Sequence, residues 1–266
     1  MENEDIKEFG LVIIESLRDN DKPTGTILFE ETITYKKIAE KNLSSYLHKV
    51  KTKQELFKLL DDIALKVEKE KFFPILHIET HGYDDGIQLN SNETVLWSEL
   101  IPIFRKINIS LANSLLILMS MCKGASVISF IDPLKRSPFK AIIGTAKKIK
   151  ERDLLIAYQS FYENYFFSFD PVLAVENMNK ELNANQNTFH LLIDEKCFDA
   201  LVNPDRDAKF FSSLVNKHAI NEKETNLLFK NIPLNEVKKI MDKRIRGKLN
   251  AAKENKGYFL MNDLRK

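Results

Sequence analysis

The sequence predicts an α/β fold: a mainly parallel six-stranded sheet flanked by helices on both faces, with a helical C-terminal extension. Two observations carry most of this. Short apolar runs rich in β-branched residues, the pattern of strands buried on both faces, recur up to about residue 195 and alternate with stretches of helical periodicity. From about residue 197 onward the apolar runs are helical only.

The elements follow in order. "FGLVIIESL" (9–17) reads as the first strand and leads into the polar loop "RDNDKPTG". The second half of "TILFEETITYKKIAEKN" reads as helix, and "SSYLHKV" (44–50) as the second strand. In "TKQE" the Thr52 and Glu55 spacing is that of a capping box, and Leu56, Leu59, Leu60, Ile63, Ala64 and Val67 repeat at helical spacing. This amphipathic helix delivers the chain to the third strand, "FFPILHIETHG". A hairpin around "GIQLNSNETVLW" precedes a helix over "SELIPIFRKIN", with Ser98 as N-cap and Pro102 early in it. "NSLLILMSMC" (113–122) and "FKAIIGTA" (139–146) are the fourth and fifth strands. Helices over "ERDLLIAYQSFYENYFF" and "DPVLAVENMNKEL" lead to the sixth, "TFHLLID" (188–194). The chain shows no internal repeat and no low-complexity segment.

Composition narrows the class. The 266 residues fit a core domain, placed at 1–195, with an extension at 196–266. No apolar run approaches the roughly 18 residues of a membrane span, and the acidic N-terminus lacks the pattern of a secretory signal. Cys122 and Cys197 form no CxxC pair, so neither a disulfide framework nor a zinc knuckle is expected, and the expected setting is the reducing cytoplasm. Charge is uneven. From Lys230 to Lys266 eleven Lys or Arg face four Asp or Glu, a balance of +7 in a chain of net +2 that leaves −5 for the rest. This basic segment carries an apolar stripe of Val237, Ile240, Met241, Ile245 and Leu249, which reads first as a helix packed on the core and second as a docking surface for an acidic partner or nucleic acid.

Chemistry is expected at the strand ends, because parallel sheets collect functional residues at the carboxyl ends of their strands. The third strand ends in His81-Gly82 and the fourth in Cys122-Lys123-Gly124. If these strands are neighbours, a thiol and an imidazole share one rim, the minimum for nucleophilic catalysis by cysteine. The N–H groups of Gly82 and Cys122 would then form an oxyanion hole. Cys197 has no such context and reads as structural. His77, Glu79 and His81 share one strand face and could be read as metal ligands, but no further ligand is spaced to complete a site. His77 and Glu79 are instead expected to be buried polar groups supporting the rim, with Glu79 orienting His81 or its loop.

"PILHIETHG" followed by "LLILMSMCKGAS" resembles the catalytic blocks of the caspase-like cysteine peptidases, and most closely those of the bacterial CHAT-domain proteases. The 41 residues between His81 and Cys122 are close to the roughly 50 of caspases. "DKPTGTILFEE" and "AIIGTAKKIKERDLLIAYQSFYENYF" agree with the CHAT branch, and the resemblance covers about residues 9–195. It implies a Cys122–His81 dyad, no metal or organic cofactor, a protein substrate, and a role in a bacterial immune or cell-death system under the control of a sensor or partner protein. Two departures concern specificity. Met121 stands where a small residue is usual, and Ser120 stands where caspases carry Gln and metacaspases Asp. Arg18 and Lys22 could serve an acidic substrate residue, and Asp84, Asp85 and Asp132 a basic one. The rival expectation is a catalytically silent caspase-like fold that works as an interaction module through its basic end.

Overall fold

The computed structural model describes residues 8–35, 43–182, 188–203 and 208–265. They fall into two compact units, Met1–Ile131 with Ser137–Ile193, and Asp132–Arg136 with Asp194–Lys266.

The first unit is α/β. Its strands are β1 (Glu8–Ser16), β2 (Leu43–Lys49), β3 (Phe72–Gly82), β4 (Gly86–Gln88), β5 (Thr94–Leu96), β6 (Leu116–Ser120), β7 (Ala141–Gly144) and β8 (His190–Ile193). Its helices are α1 (Thr24–Leu28), α2 (Lys53–Glu70), α3 (Trp97–Ser110), α4 (Glu151–Ser168) and α5 (Pro171–Glu181). The main sheet runs β2-β1-β3-β6-β7-β8, with the β4–β5 hairpin attached to the end of β3. Neighbours are parallel up to β7, and β8 is antiparallel to it. From β1 the chain goes first to β2 on one side and then to β3 on the other, so the order reverses between β1 and β3. Open α/β sheets bind ligands in the crevice at such a point.

Alternation of side chains across each strand builds two apolar layers. Leu11, Ile13, Ile75, Leu118 and Ile143 pack in one cluster with α4, α5 and Leu28. Val12, Ile14, Leu76, Ile78, Ile117 and Met119, equally buried, point the other way. There α2 packs on β3 and on α3. Helix α2 starts as its spacing predicts: the Thr52 hydroxyl accepts the Glu55 N–H at 3.2 Å, and the Glu55 carboxylate accepts the Thr52 N–H at 3.3 Å. Its buried face is Leu56, Leu60, Ile63, Ala64 and Val67.

Several boundaries differ from expectation. Ser98 is not the N-cap of α3; the helix starts at Trp97, and Glu99 accepts the Leu96 N–H at 3.0 Å. The start is fixed by Trp97, which is fully buried and donates its backbone N–H to Asp85 O (2.9 Å) and its indole N–H to Asp84 O (3.2 Å). The fourth strand stops at Ser120, since Met121 is apolar because it fills the core from a loop and not because it continues the ladder. The fifth strand is likewise confined to Ala141–Gly144. The helix after the first strand begins earlier than predicted, at Thr24, and widens into a π turn over Phe29–Ile33. Positions 36–42 of that expectation lie outside the described residues.

The second unit is helical: α6 (Asp194–Leu201), α7 (Ala208–Thr225), α8 (Leu234–Glu254) and α9 (Lys256–Phe259). Helix α8 buries Val237, Met241, Leu249 and Ala252, a stripe of helical period, and packs on α7. Ile240 and Ile245 of the predicted stripe are only half-buried. The mid-chain segment Asp132–Arg136 belongs to this unit: Arg136 makes a bidentate ion pair with Asp263 (2.8 and 2.6 Å) and lies 4.4 Å over the Tyr258 ring. Among the described residues no helix is long and apolar enough to cross a membrane.

Candidate active site

The site grows out of the β3–β6 register. The parallel pairs run from Ile75 with Leu116 to Glu79 with Ser120, so His81 lies two residues past the last pair on β3 and Cys122 two residues past the end of β6. By alternation His77, Glu79 and His81 lie on one face of β3, with Leu118 and Ser120 beside them on β6, and this is the face covered by α4. His81 and Gly82 do not leave the sheet; they pair with Gln88 and Ile87 of β4, which holds the histidine at the rim.

Gly82 is explained by close approach. A Cβ there would overlap the Cys122 carbonyl oxygen and lie 2.8 Å from Met121 Cγ. The backbone at Gly82 and the peptide that joins Cys122 to Lys123 therefore pack directly against each other, which a side chain would prevent. Met121 also comes within 3.2 Å of where a Cβ on Gly124 would stand. The large residue before Cys122 thus occupies space that two glycines leave open. Cys122 is half-buried, and Lys123 after it takes a left-handed conformation at φ 56°.

His81 has a carboxylate partner that the sequence did not single out. Its Nε2 lies 2.7 Å from Asp21 Oδ2, an oxygen that also accepts the Arg18 N–H at 2.9 Å. Burial works against the Asp21 charge, but the bonds from His81 and the Arg18 backbone outweigh it and hold the carboxyl below its ordinary range. Asp21 sits in the loop after β1 and His81 at the end of β3, so the pair straddles the point where strand order reverses. The loop is anchored from below. Glu15 accepts the Thr26 N–H (2.7 Å) and hydroxyl (2.8 Å), and Glu79, its partner in the β1–β3 register, accepts the Thr24 hydroxyl at 2.7 Å.

Glu79 therefore orients the Asp21 loop rather than His81. His77 is fully buried, with Nδ1 2.9 Å from the Tyr162 hydroxyl and Nε2 3.2 Å from Glu79, so both ring nitrogens are taken by protein groups. Among the described residues no three His, Cys, Asp or Glu side chains are grouped to hold a metal.

The remaining expected residues are not all brought together. Ser120 is only 1% exposed, so its side chain lines no open pocket. Arg18 and Lys22 are exposed on the Asp21 loop, with the Arg18 guanidinium on the Gln88 amide oxygen. Asp84 reaches Lys123 at 2.5 Å and ties the turn after His81 to the residue after Cys122, while Asp85 is exposed on the same turn. Asp132 belongs to the second unit, where it accepts the Leu134 N–H at 3.0 Å. Cys197 is 4% exposed, and burial, with Asp194 nearby, pushes its thiol up to about 12. The Cys122 thiol rests on the main chain of Ile149, whose N–H lies 3.4 Å and carbonyl 3.5 Å from Sγ. Neither Asp21 nor Ile149 had a local sequence signal: "RDND" offers two equivalent acids, and a main-chain contact carries no residue type.

Compared with known proteins, the chain matches no protein-family model and no curated protein.

Proposed function

We propose that this chain is a cysteine endopeptidase of caspase-like architecture, in which Cys122 is the nucleophile, His81 the general base and acid, and Asp21 the residue that positions the histidine. The observation that carries this reading is that His81 and Cys122 each lie two residues past the last β3–β6 pair, with the Gly82 backbone against the Cys122 carbonyl and a carboxylate on His81 Nε2. The strand order, with histidine ending the third strand of the main sheet and cysteine just past the fourth, supports the caspase-like arrangement.

The chemistry follows from the tautomer. Asp21 accepts from Nε2–H, which leaves the Nδ1 lone pair free to take the thiol proton. The sulfur attacks the scissile carbonyl and forms a tetrahedral oxyanion, which the N–H groups of Gly82 and Cys122 stabilise. His81 then returns the proton to the leaving amine, and a water activated by the same nitrogen hydrolyses the thioester. The substrate is a protein. The CHAT resemblance supports a cytoplasmic effector of a bacterial immune or cell-death system, switched by a sensor or partner protein, with no cofactor in the reaction.

The test compares newly formed protein N-termini in cells producing the wild type and Cys122→Ala. Termini dependent on Cys122 support the reading and define the cleavage preference. Identical sets, together with Cys122 alkylation at neutral pH no faster than that of Cys197 and unchanged in His81→Ala, would replace it with the silent interaction module.

A further inference from the structure

The segment between β7 and α4 lies along the nucleophile. Ala125 N–H donates to Thr145 O (3.1 Å), Lys123 N–H to Lys147 O (3.1 Å), and Ile149 N–H to Cys122 Sγ (3.4 Å). Residues 145, 147 and 149 thus face the Cys122 loop at every second position, as an extended segment does. The left-handed conformation of Lys123 turns its N–H to this segment, a strained geometry that persists only where its surroundings hold it. Among the described residues the polar partners of the Cys122 thiol are both on Ile149, while the His81 ring is held by Asp21.

We propose that the main chain of Ile149 is a working part of the site: its N–H is the donor that stabilises the Cys122 thiolate, and its carbonyl holds the thiol proton at rest. This rests on the reading of Cys122 as nucleophile and extends it. In the activating step the proton leaves Sγ for His81 Nδ1. The S–H to Ile149 carbonyl bond is lost, and the N–H to sulfur bond remains and strengthens because its acceptor is now an anion. No other bond forms or breaks, and no oxidant or reductant is involved. A main-chain donor suits this task, because its position is fixed by the fold and costs no side-chain ordering.

The experiment is iodoacetamide labelling at neutral pH, followed by mass spectrometry of the peptides carrying Cys122 and Cys197 in the same full-length chain. Ile149→Pro deletes the N–H, and Ile149→Ala keeps it. Ile149→Pro is expected to slow Cys122 labelling about tenfold, the effect of one hydrogen bond to a charged group, while Ile149→Ala and the slow labelling of Cys197 stay unchanged. Wild-type labelling in Ile149→Pro, or equal slowing in Ile149→Ala, overturns the assignment. Should the proline variant not fold, the Ile149 amide proton of the wild type decides by NMR over a pH series. A shift that follows Cys122 ionisation and vanishes in Cys122→Ala supports the donor role, and an amide indifferent to Cys122 overturns it. His81→Ala separates the two levels. If it leaves Cys122 labelling unchanged, the nucleophile reading itself fails; if it slows labelling while Ile149→Pro does not, only the Ile149 role fails.

Discussion

A single oxygen of Asp21 accepts from both His81 Nε2 and the Arg18 N–H, so this residue fixes its own turn and the imidazole together. Asp21→Ala is expected to lower kcat about 10²- to 10⁴-fold with little change in KM, the range of a lost acid–base orienter. Asp21→Asn, which keeps the shape but can turn an N–H toward Nε2 and favour the wrong tautomer, is expected to give no rescue, and steady-state rates on a peptide derived from the cleavage sites check both. At this scale the sequence was informative where residue types are rare and neighbours are local. His81-Gly82 and Cys122 could be picked out because each combines a reactive side chain with a nearby glycine at the end of an apolar run. Asp21 could not, since nothing in "RDND" distinguishes it from Asp19 until the β1–β3 pairing brings one of them to the histidine. Gly82 was singled out for an N–H that could approach a substrate carbonyl; the structure gives this glycine a different, steric reason, since the Cys122 carbonyl fills the space a side chain would need.

Elements were legible where a cap or a period announces them. Thr52 and Glu55 form the reciprocal cap their spacing implies, and the buried face of α2 follows the apolar repeat. Thr52→Ala leaves the Glu55 N–H without its side-chain acceptor and is expected to cost about 1 kcal/mol, measured as a lower midpoint in urea with an unchanged slope. Strand ends were less legible, for a physical reason. An apolar pattern reports burial, and Met121 and Phe139 are buried without being laddered, so the fourth and fifth strands looked longer than they are. The start of α3 was obscured in the same way: Ser98 is a good N-cap by type, but the buried indole of Trp97 sets the register.

At the scale of the whole molecule, one edge of the first unit carries a pH-dependent clasp. Glu8 accepts from the Tyr46 hydroxyl at 2.5 Å and pairs with Lys66 at 2.9 Å, and the Tyr46 hydroxyl is the largest influence holding its carboxyl at about 2. The unfolded chain takes up this proton near 4.5, so the stabilisation is complete above that value and fades as pH falls toward 2. Glu8→Gln is expected to cost about 1 kcal/mol at neutral pH, allowing for partial exposure, and the gap to wild type should close in acid; thermal unfolding over a pH series measures it. The division into units was legible only in outline, because helical periodicity after residue 197 marks the extension but nothing in "DPLKR" shows that Asp132–Arg136 joins it. That segment changes how deletions must be read. The chain enters the helical unit, leaves it and enters again, so the unit is no detachable appendix. A cut after Ile193 removes Asp263 and Tyr258 but leaves Arg136 behind, stripped of its ion pair and its aromatic ring, only 14 residues along the chain from Cys122. Loss of activity in such a fragment would therefore be no evidence of a lost regulator, whereas an exchange of charges between Arg136 and Asp263 tests the same junction with the chain intact.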